Sequence, residues 1–377
     1  MDNNLIKVLF ITNNASSGGG SAVLLSQIVN RLVEDDRYSI GVFEITHWDI
    51  KPEKFDERIQ VFPPYTYLNS PDRAEKMYYV YHEWNKVINE NIPTDYDIYI
   101  AFNYLKPSFL LPPNKKNIVW MHGDVYDLIN KYPGQKDMSE ERELLRMALN
   151  KVDTIVAINE NTAQSIKDVY PEHKKKIRII ENAIDIERVR KLSNEEINVK
   201  LKKPAIISVG RLDVNKNPLR LFNIYRKIHD RDKKVNLYYL GYGNLEQELR
   251  NKIYEYKLQD SVKLLGFCNN PFPIIKQADV IGMFSKSEGS PLCILEALAL
   301  NVPFVSTPVG FMSIAANGNT CGKITDNNEE AANHLLSYIY MDSISKDKAC
   351  RESVNRFSFD MYLEKIKRLL NEVWSKQ

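Results

Sequence analysis

The sequence predicts an α/β protein built from two doubly wound, Rossmann-like domains. Strand-like and helix-like stretches alternate along the chain, and in each half a strand runs into a glycine-bearing loop and then straight into a helix. The length, 377 residues, exceeds what one ordinary core serves and suits two domains of moderate size.

The run Ile6-Lys-Val-Leu-Phe-Ile11 is short, apolar and β-prone, the pattern of a strand buried on both faces. The loop Asn13-Asn-Ala-Ser-Ser-Gly-Gly-Gly-Ser21 and an amphipathic helix over about 22–33 follow. Glycines there let backbone N–H groups approach a phosphate or a sugar; a tight strand-to-helix turn is the plainer reading. GxGxxG would need a glycine where Val23 stands, which disfavours a dinucleotide oxidoreductase, and the Walker GK[ST] is missing. Further strands are expected at 39–45, 59–62, 97–102, 117–121, 154–158 and 177–180. Helices are expected at 73–91, at 140–149 and after Asn159. His122 directly follows the strand at 117–121, and ligands of parallel sheets bind just past strand carboxyl ends. A loop histidine packed on Trp120 or exposed to solvent is the alternative.

The polar stretch 194–203, reading NEEINVKLKK, fits a linker, taken as 186–203. A second α/β unit opens at Pro204. Its first strand, 205–209, leads into GRLDVNKNP at 210–218, where Pro218 is preformed to open a helix. Arg211 and Lys216 thus flank a helix N-terminus. An arginine fork and a lysine point charge there suit a diphosphate; two solvated bases are the alternative. Strands at 235–240, 262–265, 279–284 and 302–306 alternate with helices at 245–256 and 272–278. The strand at 279–284 feeds SEGSPLCILEA, 287–297. Ser290 is expected to cap the next helix and Pro291 to occupy its first turn, with Asn301 and Pro303 ending it. Glu296, on an otherwise apolar helix, is costly unless it has a partner. Glu288 sits ahead of the positive helix end, where an anionic ligand could also sit. The last helix, 359–376, is amphipathic, and the second domain spans 204–358.

Bulk properties exclude some functions. With 51 basic and 49 acidic side chains the net charge is +2, which gives no global argument for nucleic acid. No stretch approaches the roughly 20 apolar residues of a membrane span. The opening residues, with Asp2 and two asparagines, are expected to be no secretory signal. The four cysteines, Cys268, Cys293, Cys321 and Cys350, form no CxxC, so reduced thiols in a cytoplasmic protein are expected and a zinc site is not. Asp95-Tyr-Asp97 and Asp230-Arg-Asp232 match the DxD of metal-dependent sugar transferases. One precedes a strand and the other follows a helix, so both read as caps or turns. The basic run His173-Lys-Lys-Lys-Ile-Arg178 reads as a surface turn; attraction to an anionic membrane face, about 1 kcal/mol per basic residue, is the alternative.

Taken together, SEGSPLCILEAL at 287–298, VGRLDVNKNP at 209–218, LGYGNLEQEL at 240–249 and the glycines 18–20 resemble the family 4 retaining glycosyltransferases. The resemblance covers nearly the whole chain and is stronger in the second half. It implies the GT-B architecture: two Rossmann-like domains facing a central cleft, acceptor mainly on the first (1–185), donor on the second, and a final helix crossing back to the first. By position, Arg211 and Lys216 resemble the donor-diphosphate pair, Glu296 the ribose-binding glutamate, and Glu288 the first glutamate of E-x7-E near the donor sugar. Gly289, Ser290, Pro291 and Leu292 resemble the backbone N–H groups at the helix start. Gly210, Gly241, Phe267 and Cys268, at strand ends, complete the donor site. His122 resembles the first-domain histidine near the reaction centre, and Gly19 and Gly20 the loop that closes over the diphosphate or acceptor. Glu288, His122, Arg211 and Lys216 are the catalytic candidates. The implied co-substrate is a nucleotide-diphosphate sugar, UDP before GDP, with no metal or other cofactor. The implied acceptor is a saccharide or lipid-linked saccharide, which would suit peripheral membrane contact. Asn301 replaces a usual glycine, and the stretch at 309–315 lacks the usual second glycine and glutamate, which bears on sugar and acceptor selectivity. A nucleotide-sugar epimerase, a sugar phosphorylase and a non-catalytic nucleotide-sugar binder are the rival readings.

Overall fold

Long apolar runs cannot stay in water, and in this chain they form parallel strands covered on both faces. The computed structural model describes residues 5–16, 20–49, 54–103, 105–126 and 138–375. Two compact units divide the chain, 1–181 with 362–377, and 182–361.

The first unit carries β1 (Ile6–Thr12), β2 (Tyr38–Glu44), β3 (Thr46–His47), β4 (Gln60–Val61), β5 (Thr66–Tyr67), β6 (Ile98–Phe102), β7 (Lys116–Met121), β8 (Thr154–Ala157) and β9 (Ile177–Ile179). All but β3 and β5 form one sheet, ordered β4-β2-β1-β6-β7-β8-β9, in which β1 pairs in parallel with β2 and β6. β3 and β5 make a separate two-stranded ladder. Every residue of β6 is buried. The final helix, Phe359–Ser375, joins this unit from Tyr362 onward, as expected. Its Tyr362 ring lies 6.3 Å from Trp120, and Lys367 lies 2.9 Å from Asp35.

The second unit carries β10 (Ala205–Val209), β11 (Asn236–Leu240), β12 (Val262–Gly266), β13 (Val280–Met283), β14 (Phe304–Ser306) and β15 (Gly322–Ile324). They form one parallel sheet in the order β12-β11-β10-β13-β14-β15. Apolar clusters cover it: Ile207, Ile281, Ile294, Leu295 and Leu298 belong to one, Ile206, Phe222, Leu237 and Leu335 to another. Burying each such side chain contributes about 1.5–3 kcal/mol.

The structure departs from the expectations in several places. The helix expected over 73–91 is two helices, Arg73–His82 and Trp84–Asn91, broken at Glu83 with φ −130°; Tyr81 and Trp84 both rest on the Phe109 ring. The linker is no free tether, because 186–203 holds the helix Ile186–Leu192 and buries Val189 and Leu201 in the second core. The helix after Glu288 starts at Leu292, with Pro291 at its cap position, and Ser290 Oγ is buried without a partner among the described residues rather than capping. The helices Asn328–Ile339 and Ser343–Val354, and strand β15, were not anticipated. Asn301 does stand in the left-handed region, φ +62°, as a helix C-terminus favours. Asp97 accepts the Lys7 N–H and so ties the start of β6 to β1, whereas Asp232 accepts the Lys234 N–H within its own turn.

Candidate active site

The order of the second sheet puts its reversal between β10 and β13, and doubly wound sheets bind ligands outside the carboxyl ends at that point. Both motifs fall there. β10 runs into the loop at 210–218 and β13 into the stretch that carries Glu288. Residues 72 apart in sequence therefore meet: Lys216 Nζ donates to Glu288 Oε1 at 2.6 Å. Lys216 is only 22% exposed and Glu288 11%.

The loop folds on Asp213, whose carboxylate accepts the Lys216 N–H at 2.8 Å and pairs with Arg211 Nε at 2.9 Å. Arg211 stays 74% exposed, so it is available to a ligand. Asn217, in the left-handed region, turns the chain into the helix Pro218–Arg231. Asn215 holds the opposite strand end. Its Nδ2 donates to Ser287 O at 2.9 Å, its Oδ1 accepts Ser287 N–H at 3.2 Å, and its carbonyl accepts Lys286 N–H at 2.8 Å. Asp213 and Asn215 were not among the residues expected at the site. Their polar character between two bases was the available signal, but its meaning depends on what lies across the sheet.

Gly210 (φ +143°) and Gly241 (φ +141°) are in contact. A Cβ on Gly241 would stand 1.9 Å from Gly210 O. Gly241 also donates to Gly266 O at 2.8 Å, so three expected strand ends are stitched together. Gly310 supports Glu288 from behind: a Cβ there would stand 2.7 Å from Gly289 O and 3.0 Å from Glu288 O. Phe267 is 64% exposed and meets the exposed Tyr242 ring edge-on at 6.0 Å. Cys268 Sγ donates to Asn270 O at 3.1 Å and is engaged in its own loop. At the head of the helix Leu292–Ala299, Pro291 has no N–H to offer, which corrects the expectation for that position.

Burial disfavours the Lys216 ammonium, but Cys293 and Glu288 outweigh it, so its pKa is raised. Burial pushes the Cys293 thiol up to about 12 against the pull of Lys216. Burial pushes Glu296 up to about 7, and Arg188 offsets part of this at longer range. Among the described residues Glu296 has no hydrogen-bond partner. Its folded-state pKa lies above the ordinary 4.5, so its ionisation lowers stability progressively from about pH 4.5 to 7, and the loss is complete above 7. Glu296→Gln is expected to match the wild type near pH 4 and to be more stable at pH 8 by about 1–3 kcal/mol. Urea titrations at both pH values measure this; equal differences at the two would rule it out.

In the first unit, His122 follows β7 as expected. Its ring packs on Phe102 at 4.4 Å, and its Nε2 is buried without a partner among the described residues. Burial holds its pKa down to about 3, so it is a neutral imidazole. Gly20 is exposed and opens the helix Gly20–Leu32; Gly18 and Gly19 lie outside the described residues. No group of three His, Cys, Asp or Glu able to hold a metal occurs among the described residues, and no helix among them is long and apolar enough to cross a membrane.

Two doubly wound units, one with cationic and acidic side chains gathered at its switch point, define the fold of the GT-B glycosyltransferases. The family model for glycosyl transferases group 1 matches 189–356, and that for glycosyltransferase family 4 matches 18–188. The chain belongs to the family 4 glycosyltransferases. It is 30% identical over 191 residues, 51% of the chain and 48% of the relative, to the N-acetylgalactosamine-N,N'-diacetylbacillosaminyl-diphospho-undecaprenol 4-alpha-N-acetylgalactosaminyltransferase of Campylobacter jejuni. It is 29% identical over 231 residues, 56% of the chain and 58% of the relative, to the UDP-Gal:alpha-D-GlcNAc-diphosphoundecaprenol alpha-1,3-galactosyltransferase of Escherichia coli. The matches thus span about half the length of these curated relatives. The crystal structure of Anabaena HepE with UDP and glucose shares the fold, with TM-score 0.71 at 17% identity over 97% of this chain and 99% of that one.

Proposed function

We propose that the protein transfers a hexose-type sugar from a nucleotide-diphosphate donor, UDP before GDP, to a hydroxyl of a saccharide or lipid-linked saccharide, with retained configuration and without a metal. The observation that carries this is the Lys216–Glu288 pair at the switch point, beside the exposed Arg211. Lys216 and Arg211 would meet the diphosphate, Glu296 the ribose hydroxyls and Glu288 the donor sugar. In the transfer, the bond between the anomeric carbon and the diphosphate breaks and its electron pair leaves with the diphosphate. A bond from the acceptor oxygen to that carbon forms, and the acceptor proton passes to a leaving phosphate oxygen. Charge grows on the diphosphate, so the preorganised cations supply the main catalytic effect. The neutral His122 would offer a hydrogen bond rather than a charge.

The HepE complex with UDP and the two undecaprenol-linked relatives support the choice of donor and acceptor class, and a lipid-linked acceptor favours peripheral contact with the cytoplasmic membrane face. The relatives are named as transferases, so the epimerase and phosphorylase readings are set aside. UDP is expected to raise the thermal midpoint in the presence of EDTA. Arg211→Ala is expected to weaken UDP binding about 10-fold or more, the worth of one charge-assisted hydrogen bond. Proton NMR of the product with UDP-glucose, UDP-galactose or UDP-N-acetylgalactosamine reads the anomeric configuration. No UDP-dependent shift, or a strict metal requirement, would refute the reading in its donor or its metal-free part respectively.

A further inference from the structure

The first unit holds a second polar cluster that no sequence motif marks. Glu44, the last residue of β2, is 8% exposed, and both its carboxylate oxygens are engaged. Oε1 accepts the N–H of Ala15 at 2.6 Å, the N–H of Ser16 at 3.1 Å and Ser16 Oγ at 2.6 Å. Oε2 lies 2.8 Å from His47 Nδ1. A carboxylate that takes three donors on one oxygen is itself an acceptor, so Nδ1 carries the proton and donates. The lone pair, or second proton, of the imidazole is then on Nε2. Among the described residues Nε2 has no hydrogen-bond partner; Asp49 Oδ1 stands 4.0 Å away. The His47 ring is 26% exposed and meets the edge of Tyr67, a 55% exposed aromatic, at 5.7 Å.

Placement gives this cluster its meaning. β1 and β2 are neighbouring parallel strands; Glu44 ends β2, and Ala15, Ser16 and His47 lie past the carboxyl ends of β1 and β2, at the ligand-binding edge of the sheet. Trp48 N–H donates to Ser16 Oγ at 2.7 Å, which locks the strand-exit turn to the same hydroxyl. Two more polar atoms nearby are buried without partners among the described residues, Asn13 Oδ1 and Thr66 Oγ1. The Asn13 carbonyl accepts the N–H of Thr46, and Thr66 pairs with Thr46 in the β3-β5 ladder. An oriented imidazole with a free ring nitrogen and a half-exposed tyrosine face are the chemistry that recognises a sugar ring, through a hydroxyl hydrogen bond and stacking of its C–H face.

We propose that His47 Nε2, with Tyr67 beside it, is a hydroxyl-binding site for the saccharide acceptor, and that Glu44 is a positioning residue that sets the His47 tautomer. This rests on the saccharide acceptor proposed above and on its being held mainly by the first unit, as the family resemblance implies. The test uses direct binding of undecyl-diphosphate-linked N-acetylglucosamine to the UDP-saturated full chain, by calorimetry, with UDP binding measured separately. An asparagine amide superimposes on Nδ1 and a glutamine amide on Nε2. His47→Asn, which keeps the bond to Glu44, is therefore expected to weaken the acceptor at least 10-fold, and His47→Gln less than 3-fold, with UDP affinity unchanged in both. Tyr67→Ala is expected to weaken the acceptor 3- to 10-fold. A wild type that binds UDP but not this acceptor overturns the proposal, as does an unaffected His47→Asn or a loss confined to His47→Gln. Failure of UDP to bind the wild type would instead strike the donor reading.

Discussion

Glu288→Gln is expected to bind UDP more tightly while losing transfer. In the structure the Glu288 carboxylate occupies the Lys216 ammonium at 2.6 Å, with both side chains largely covered. A diphosphate that meets Lys216 must share that ammonium with a like-charged carboxylate. Removing the charge and keeping the shape lifts this competition, so UDP affinity should rise about 3- to 10-fold, in line with the energy of one partly covered charge contact. If Glu288 also faces the donor sugar, the rate of transfer should fall by about 10²- to 10³-fold, the usual cost of losing one preorganised polar group. Lys216→Ala should behave oppositely on binding, weakening UDP by about 10- to 100-fold. Calorimetry with UDP and initial rates of UDP release measure both. Weaker UDP binding in Glu288→Gln, with an unchanged rate, would show that the carboxylate only holds Lys216 in place.

Gly241→Ala should be the most damaging single-methyl change in the second unit. Its backbone sits at φ +141°, which side chains rarely adopt, and the added Cβ would stand 1.9 Å from Gly210 O. Backbone cannot move aside as a flexible side chain can, so β10 and β11 would have to separate at their carboxyl ends. A loss of about 3–5 kcal/mol is expected, at the upper end for point substitutions. Gly266→Ala, where nothing lies within 4 Å of the added atom and only φ +73° is unfavourable, should cost about 1–2 kcal/mol. Denaturant titration of the two variants compares them directly. Equal losses would mean that dihedral strain, and not the contact with Gly210, is what matters.

The legible part of this protein was whatever depends on local pattern. Apolar runs marked the long strands, because a strand covered on both faces needs little else. Pro218 marked a helix start and Asn301 a helix end, because both act through their own backbone preferences. The β3-β5 ladder escaped: its strands are two residues each, and unlike β4, of the same length, neither was marked by the apolar residues around it. The break at Glu83 escaped as well, since nothing in the residues 73–91 forbids a continuous helix. Ser290 misled because a cap needs its hydroxyl aimed at a free N–H, which residue type alone does not secure.

By itself, then, the sequence determined two α/β units, the loops that leave β10 and β13, and the residue types at the site. Tertiary structure decided their partners. Lys216 and Glu288 are 72 residues apart, and only the strand order β10-β13 brings their loops side by side. Likewise Glu44 meets Ala15 and Ser16 because β1 and β2 are neighbours in register. Charge and hydrogen-bond partners are set by distance in space, and distance in space follows from sheet topology, which no local stretch of chain encodes.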